Sequence, residues 1–307
     1  MAPLNTEATL RALIENELPA VKTAGCRFSP VQGLTGESWR IEGEGVQLLA
    51  RQQSPEKSAL GVSRRREARV LHRRGKDIGP QVLVQNNQWI ILQWLDGDVV
   101  TGADFSRLNE QGDLAALLAG LHRQPPSGYP LNLPRQFARY WQQLDGRRLT
   151  PAWLRLHQHF QHCRTPTPLK LAPLHMDVHP GNLIVQGENL RLIDWEYAAD
   201  GDIALDIAAL FCSNAWSPAR RQQFLQHYAR IGYLDLPLLR RQVQRWLPWV
   251  DYLMLLWFEV RWQQTGDPEF LRWGAVLHRR FCLTSPCSIP KIIGVALRRP
   301  VCKPPGA

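Results

Sequence analysis

The sequence has 307 residues, of which 44% are hydrophobic and 21% are charged, a composition typical of globular chains that bury a full core. Residues 1–20 contain three glutamates and no uninterrupted apolar run, and the longest apolar stretch, 247–258, is interrupted by Pro248 and Asp251, so we expect neither a secretory signal nor a membrane span. The net charge is +10, but seven positive charges and no acid follow Glu269, so the excess is mostly terminal and does not indicate nucleic-acid binding.

The first 95 residues are predicted to form a small β-rich lobe. A helix is expected over residues 6–18, where leucine and isoleucine recur at helical spacing. Short strands are predicted over 31–41, 46–51, 81–84 and 89–94, with a charged helix over 58–74. The last two strands are predicted to form a hairpin that closes at Asn86 and Asn87.

Beyond residue 95 the chain is predicted to be mostly helical. Helices are expected over 105–122, 134–144, 151–163, 204–214, 218–231 and 236–264, the last with a kink or a restart at Pro248. Residues 171–200 interrupt this pattern with two short strands. The organisation indicates an α+β fold with an N-terminal lobe over residues 1–95, a larger helical lobe over 96–282 and a basic, disordered tail over 283–307.

Six cysteines are scattered along the chain without paired C-x-x-C spacing. This spacing indicates neither a zinc site nor a disulfide framework. We interpret the cysteines as free thiols and expect a protein of the reducing cytoplasm.

The segment over residues 171–200 carries the clearest chemical pattern. It reads LHMDVHPGN over 174–182, and LIDWE follows over 192–196 after a strand, the Gly187 turn and a second strand. Because one acid precedes the first strand and the other follows the second, Asp177, Asn182 and Asp194 are predicted to face one cleft. The spacing H-x-D-x-x-x-x-N is that of the kinase catalytic loop.

Phosphoryl transfer requires these three kinds of side chain. A carboxylate accepts the proton of the attacking hydroxyl, while an amide and a second carboxylate hold Mg²⁺ against the phosphates. We assign these roles to Asp177, Asn182 and Asp194 in that order. Turn or cap chemistry accounts for either acid alone but does not predict the full set. His175 and His179 are interpreted as loop or core histidines, with His175 bracing the loop.

The small lobe is expected to supply further contacts with the nucleotide. Backbone N–H groups between Gly33 and Gly36 precede a strand and are candidates to cover the phosphates. Gln93 and Leu95, at the junction of the two lobes, are expected to offer backbone groups to adenine.

Arg51 is the cation expected to reach the α- and β-phosphates from the next strand. Glu67, on the following helix, is the candidate carboxylate that orients it. The alternative interpretations are an exposed charge at a strand end for Arg51 and a plain helix-face ion pair for Glu67.

The stretches LHMDVHPGNL (174–183) and LIDWEYAADGDIAL (192–205) resemble the aminoglycoside phosphotransferase and choline kinase superfamily, whose fold is that of the protein kinases. More specifically the chain resembles bacterial thiamine kinases, through RWLPW (245–249) and WFEVRWQQTGD (257–267). The resemblance implies Mg²⁺-dependent transfer of a phosphoryl group from ATP to thiamine, which gives thiamine monophosphate. It also implies that Glu196 lies near a cationic substrate, and it favours Trp257 and Trp262 as substrate contacts. The glycine loop is reduced, arginine stands at the usual lysine position and D-W-E replaces D-F-G.

The helices after Pro218 are rich in tryptophan and poor in acids. Residues 207–270 contain five acids and seven arginines, which disfavours a polycationic acceptor. The flat thiazolium cation of thiamine favours aromatic faces with one or two carboxylates, although core packing is the alternative interpretation of each tryptophan. Choline or ethanolamine kinase and aminoglycoside phosphotransferase are the alternative enzymes, and an inactive nucleotide-binding scaffold is the non-enzyme alternative.

Overall fold

The N-terminal part of the chain forms an antiparallel five-stranded sheet. The structure is a computed structural model that describes residues 3–31, 38–75 and 78–283. The sheet has the order β1-β2-β3-β5-β4 and consists of β1 (Arg27–Val31), β2 (Ser38–Gly43), β3 (Val46–Gln52), β4 (Val82–Gln85) and β5 (Trp89–Gln93). Gly33, Gly36 and the tail from residue 284 onward lie outside the described residues.

Both faces of this sheet are covered by apolar side chains. Successive residues of β5 point to opposite faces, so that Ile91 packs with Leu10 and Ile14 of helix α1 (Pro3–Glu17) while Ile90 joins the main core. The connection from β3 to β4 contains α2 (Pro55–Ala59), α3 (Arg64–Val70) and a π-helical turn, Leu71–Gly75.

Helices dominate the rest of the chain. Those of the described residues are α4 (Gly102–Gln111), α5 (Asp113–Arg123), α6 (Leu133–Trp141), α7 (Pro151–His162), α8 (Ile203–Ser213), α9 (Pro218–Ile231), α10 (Leu236–Thr265) and α11 (Pro268–Arg280). Residues 203–211 of α8 are buried without a break, so this helix forms the centre of the main core. None of the helices in the described part of the chain combines the length and the apolarity that a membrane crossing requires.

The segment over residues 171–200 contains the two predicted strands, β8 (Leu183–Gln186) and β9 (Asn189–Leu192), and two further ones, β7 (Leu171–Leu174) and β10 (Ala199–Asp202). With β6 (Asp98–Val99), from outside the segment, they pair antiparallel as β6-β8-β9 and β7-β10. Gly187 has a φ of +59° in the turn between β8 and β9, a value that glycine adopts easily. Leu183 pairs with Leu192, so Asn182 and Asp194 emerge at the same end of this hairpin.

Several helix boundaries differ from the prediction. The helix expected over 58–74 is broken around Gly61, and the one expected over 105–122 is broken at Gly112, because these glycines have φ values of +81° and +93°. Helix α10 continues through Pro248 without a restart, with Trp246, Trp249 and Val250 packed in the core around the proline. Helix α11 was not predicted. The division of the chain into lobes at residues 95 and 282 stays a prediction.

Candidate active site

A single cavity of about 1100 Å³ contains most of the predicted site residues. The predicted residues that line it are Arg51, Gln93, Leu95, Asp177, Asn182, Asp194, Glu196 and Trp257. Glu67 lies behind Arg51 and is fully buried. Trp262 is not part of the lining, and the guanidinium of Arg148 covers its ring at 4.6 Å from the centroid.

Asp177 and Asn182 are joined side chain to side chain. The amide Nδ2 of Asn182 donates to the carbonyl oxygen of Asp177 at 2.9 Å and to its Oδ2 at 3.1 Å. Burial, followed by the negative charges of Asp194 and Glu196, raises the pKa of Asp177 to about 7. A carboxylate whose pKa is close to neutrality is well suited to accept a proton from a bound alcohol.

Asp206 of α8 holds the loop that carries Asp177. Its carboxylate accepts hydrogen bonds from the backbone N–H groups of His175 at 3.0 Å and Met176 at 2.7 Å, and His122 binds it at 3.0 Å. Met176 has a φ of +68°, a strained value for a residue with a side chain, and the two bonds to Asp206 stabilise it. Sequence reasoning missed Asp206, because its partners lie about 30 and 84 residues away along the chain.

His175 braces the same loop, as expected. Its Nδ1 accepts the backbone N–H of Asp177 at 3.3 Å, so Nε2 carries the proton and donates to the carbonyl of Ile193 at 3.0 Å. Burial lowers the pKa of His175, which keeps the ring neutral. The histidine thereby ties Asp177 to the residue that precedes Asp194.

Asp194 follows β9 with a φ of +61°, which aspartate tolerates better than most residues. Its Oδ1 accepts a hydrogen bond from Nη2 of Arg51 at 2.7 Å. Burial alone would raise the pKa of Asp194, but the charge and the hydrogen bond of Arg51 outweigh this effect and lower the pKa to about 2. Asp194 is therefore ionised at neutral pH.

Arg51 lies at the centre of a network of three buried cations, two buried carboxylates and the half-buried Asp194. Besides Asp194, it binds Glu67 at 2.8 Å and Glu196 at 2.8 Å. Its side chain is only 5% exposed, so the interpretation of Arg51 as an exposed strand-end charge is wrong. The predicted pair with Glu67 is present.

Lys57 and Arg64 complete this network, and Lys57 was not singled out from the sequence. The pair of Glu67 with Arg64 on its own helix was the alternative interpretation of Glu67, and it is present beside the pair with Arg51. Lys57 Nζ binds Oε2 of Glu196 at 2.9 Å, and Arg64 binds Glu67 at 2.7 Å and Glu196 at 3.2 Å. The negative charge of Glu196 is thus already shared among three protein cations. Its predicted contact with a cationic substrate stays a prediction.

The part of the cavity beyond Asp177 is walled by aromatic and apolar side chains of the helical region. Tyr197 and Trp257 lie next to each other there, joined by a hydrogen bond from the indole Nε1 to the phenol oxygen at 2.9 Å. Met254, Phe258 and Trp273 extend the same wall.

Asn182 and Asp194 fit the donor set that Mg²⁺ requires. Asn182 turns its nitrogen toward Asp177, which leaves its oxygen as the group that can bind a cation. The described residues contain no cluster of three or more His, Cys, Asp or Glu side chains that would form a metal cage. Mg²⁺ typically uses one or two protein oxygens together with phosphates and water, so these two residues are sufficient.

Comparison with known proteins agrees with this chemistry. A family model described as "Phosphotransferase enzyme family" matches residues 31–241. Curated thiamine kinases of Escherichia coli O157:H7 and Shigella flexneri are each 39% identical over 254 residues, which are 80% of this chain and 88% of theirs.

Solved structures resemble the fold as a whole. The choline kinase LicA of Streptococcus pneumoniae superposes with a TM-score of 0.71 at 15% identity, over 91% of this chain and 98% of its own. An ethanolamine kinase of Plasmodium vivax superposes with a TM-score of 0.68 at 18% identity, over 90% and 87%. These likenesses confirm the predicted α+β, protein-kinase-like fold.

Proposed function

Because this chain belongs to the phosphotransferase enzyme family, as an ATP-dependent small-molecule kinase, we propose that it transfers the γ-phosphoryl group of ATP to the hydroxyl of thiamine. The observation that carries the proposal is the 39% identity to curated thiamine kinases over 80% of the chain. The product would be thiamine monophosphate.

The geometry around Asp177 supports a role as general base. Asp177 accepts the proton of the substrate hydroxyl while the hydroxyl oxygen forms a bond to the γ-phosphorus. The bond between this phosphorus and the β–γ bridging oxygen breaks, and ADP leaves. The hydrogen bond from Asn182 to Oδ2 of Asp177 orients the carboxylate for this transfer, and the bond that the backbone N–H of Asp177 donates to His175 holds the loop in place.

Asn182 and Asp194 are the residues that would hold Mg²⁺, and the bound ion would neutralise charge on the phosphates. Arg51 carries the charge expected to bind the α- and β-phosphates, and Glu67 fixes its position from behind. Both terminal nitrogens of the Arg51 guanidinium donate to carboxylates, so the group is oriented before the nucleotide binds.

At the lobe junction we expect the backbone N–H of Leu95, rather than that of Gln93, to contact adenine. The N–H of Gln93 is bonded to the carbonyl of Gln81, and that of Trp94 to Gln47. Among the described residues no backbone bond engages the N–H of Leu95, so we expect this group to donate to the adenine ring.

The acceptor assignment is tested with a panel of alcohols. Purified protein, ATP and Mg²⁺ are incubated with thiamine, choline, ethanolamine or an aminoglycoside, and ADP release is followed together with the mass of the product. We expect thiamine to have the highest kcat/KM. A higher kcat/KM for choline would show that choline, not thiamine, is the acceptor. ATP binding without phosphorylation of any alcohol would support the inactive scaffold.

A further inference from the structure

The described residues that line the cavity include four acids, and three of them already have a role near the phosphates. Asp177 is the proposed base, and Asp194 and Glu196 bind Arg51. The fourth acid, Asp251 of α10, lies in the part of the cavity formed by the C-terminal helices and has no role in the transfer.

Asp251 is held in place by two side chains of neighbouring helices. Its carboxylate accepts a hydrogen bond from the thiol of Cys212 in α8 at 3.5 Å and binds the guanidinium of Arg280 at the end of α11. The Asp251 residue is 4% exposed, whereas the Arg280 side chain is 53% exposed. Each carboxylate oxygen has two lone pairs, so these contacts leave capacity for a further donor.

The charges around Asp251 do not favour a cationic ligand. Arg280 binds Asp251, Arg221 lies near its partner Cys212, and Arg272 lines the same cavity. Arg221 donates to the carbonyl of Trp216 at 2.8 Å, and Arg272 binds Glu269. One acid among three arginines is complementary to a neutral polar group rather than to an ammonium or a thiazolium.

Two aromatic rings line the same cavity about two helical turns from the Asp251–Arg280 pair, Phe258 on α10 and Trp273 on α11. Their ring centroids are 6.1 Å apart, and Trp273 is 43% exposed although it is large and apolar. A planar heteroaromatic group between these rings and the ion pair would cover Trp273 from solvent.

The ion pair of Asp251 and Arg280 presents an acceptor beside a donor. A 4-aminopyrimidine presents the complementary edge, an amino N–H beside a ring nitrogen. We propose that Asp251 accepts a hydrogen bond from the amino group of the aminopyrimidine of thiamine, while Arg280 donates to its ring nitrogen. This inference rests on the proposed function and makes Asp251 and Arg280 the specificity determinants of the acceptor. The thiazolium then lies nearer to Tyr197, Trp257 and the acids around Asp177.

The test compares thiamine with its N-benzyl analogue, 3-benzyl-5-(2-hydroxyethyl)-4-methylthiazolium, which keeps the cation and the hydroxyl but lacks the polar edge. We expect the wild type to prefer thiamine in kcat/KM by about 10- to 100-fold, the value of a hydrogen bond to a charged group. Asp251→Asn and Arg280→Ala should each lower kcat/KM for thiamine and leave that for the analogue within about twofold.

Glu259→Gln is the matched control. Glu259 is also a buried acid of α10 paired with an arginine, Arg148, and with His278, but it does not line the cavity. This variant should be less stable than the wild type but should keep the ratio of kcat/KM for thiamine to kcat/KM for the analogue.

Two results would overturn the inference while leaving the proposed function intact. One is an equal loss for both substrates in Asp251→Asn and Arg280→Ala, which would indicate a structural role. The other is an unchanged ratio of the two kcat/KM values in Arg280→Ala, where continued turnover of the analogue shows that the variant is folded although Asp251 has lost its cation. Absence of wild-type turnover with both thiamine and the analogue would instead overturn the proposed function and this inference with it.

Discussion

Arg51 binds the buried Glu67 and Glu196 and the half-buried Asp194 at distances of 2.7 to 2.8 Å, so its replacement by methionine leaves three acids with only Lys57 and Arg64. Removal of one partner from a buried ion pair costs about 3–5 kcal/mol. We expect about 3 kcal/mol here, because Glu67 keeps Arg64 and Glu196 keeps Lys57. For a chain of 307 residues, an unfolding entropy of about 2.1 cal/mol/K per residue means that this loss lowers Tm by about 5 °C.

The assay is urea unfolding of Arg51→Met, Glu67→Gln and the double variant. Because the two side chains are in direct contact at 2.8 Å, the double variant should lose about 1–3 kcal/mol less than the sum of the single losses. Arg65→Met on the same helix α3 is the control. Arg65 is exposed, and its replacement should change the free energy of unfolding by less than about 0.5 kcal/mol.

Two results would refute this reasoning. Strictly additive losses in the double variant would show that Arg51 and Glu67 do not stabilise each other. A loss for Arg51→Met as small as that for Arg65→Met would show that the buried network has no stabilising role.

Three further predictions concern the loop, the acceptor wall and the metal residues. Asp206→Asn should lower the free energy of unfolding by about 2–4 kcal/mol at pH 7, because one carboxylate binds two loop N–H groups and His122; urea unfolding measures this loss. Burial alone would raise the pKa of Asp206, but its hydrogen bonds, above all that from His122, outweigh this effect and lower the pKa below its ordinary value. The stabilisation by Asp206 is therefore present above the unfolded pKa of about 3.9 and is lost as pH falls from there through the lowered folded pKa. Trp257→Leu should raise KM for thiamine about tenfold and leave KM for ATP within about twofold in steady-state kinetics, because an aromatic face for the cation is removed. Asn182→Ala should raise the Mg²⁺ concentration that gives half-maximal turnover, because one of two protein oxygens is lost.

Each of these predictions has an outcome that contradicts it. If the difference in the free energy of unfolding between wild type and Asp206→Asn grew toward acid pH, the predicted direction of the pH dependence would be wrong. Equal changes in both KM values would make Trp257 a core residue rather than a substrate contact. An unchanged Mg²⁺ dependence in Asn182→Ala would remove Asn182 from the metal site.

The central site could be predicted from the sequence because its parts are local. Asp177, Asn182 and Asp194 lie within 18 residues of one another, and a hairpin with one glycine turn is enough to bring them together. The pair of Arg51 and Glu67 was also predictable, because β3 and α3 are only 16 residues apart at this contact and a helix that follows a strand commonly packs against it.

Contacts between distant segments could not be predicted in this way. Arg64 stands in a run of three arginines, which indicates a solvated helix face, yet it is 1% exposed because Glu67 and Glu196 face it. Lys57 and Glu196 are 139 residues apart. Sequence periodicity and motif spacing cannot identify an ion-pair partner at that sequence separation.

Helix α11 shows a signal that was present in the sequence. Asp267 accepts the backbone N–H of Glu269, and Pro268 follows it as the first helical residue. An aspartate, a proline and a glutamate in this order are typical of a helix start. Recognition of that start would have predicted the helix that carries Trp273 and Arg280.

Phosphoryl transfer from γ-labelled ATP to thiamine, compared between the wild type and Asp177→Asn, tests the central claim most directly. The wild type should form one labelled thiamine monophosphate for each ADP. The variant should bind ATP with nearly unchanged affinity and lose kcat by about 10²- to 10⁴-fold, because an amide cannot accept the proton of the hydroxyl. A variant with near-normal kcat would remove Asp177 as the base, and a wild type that leaves thiamine unlabelled would contradict the proposed reaction.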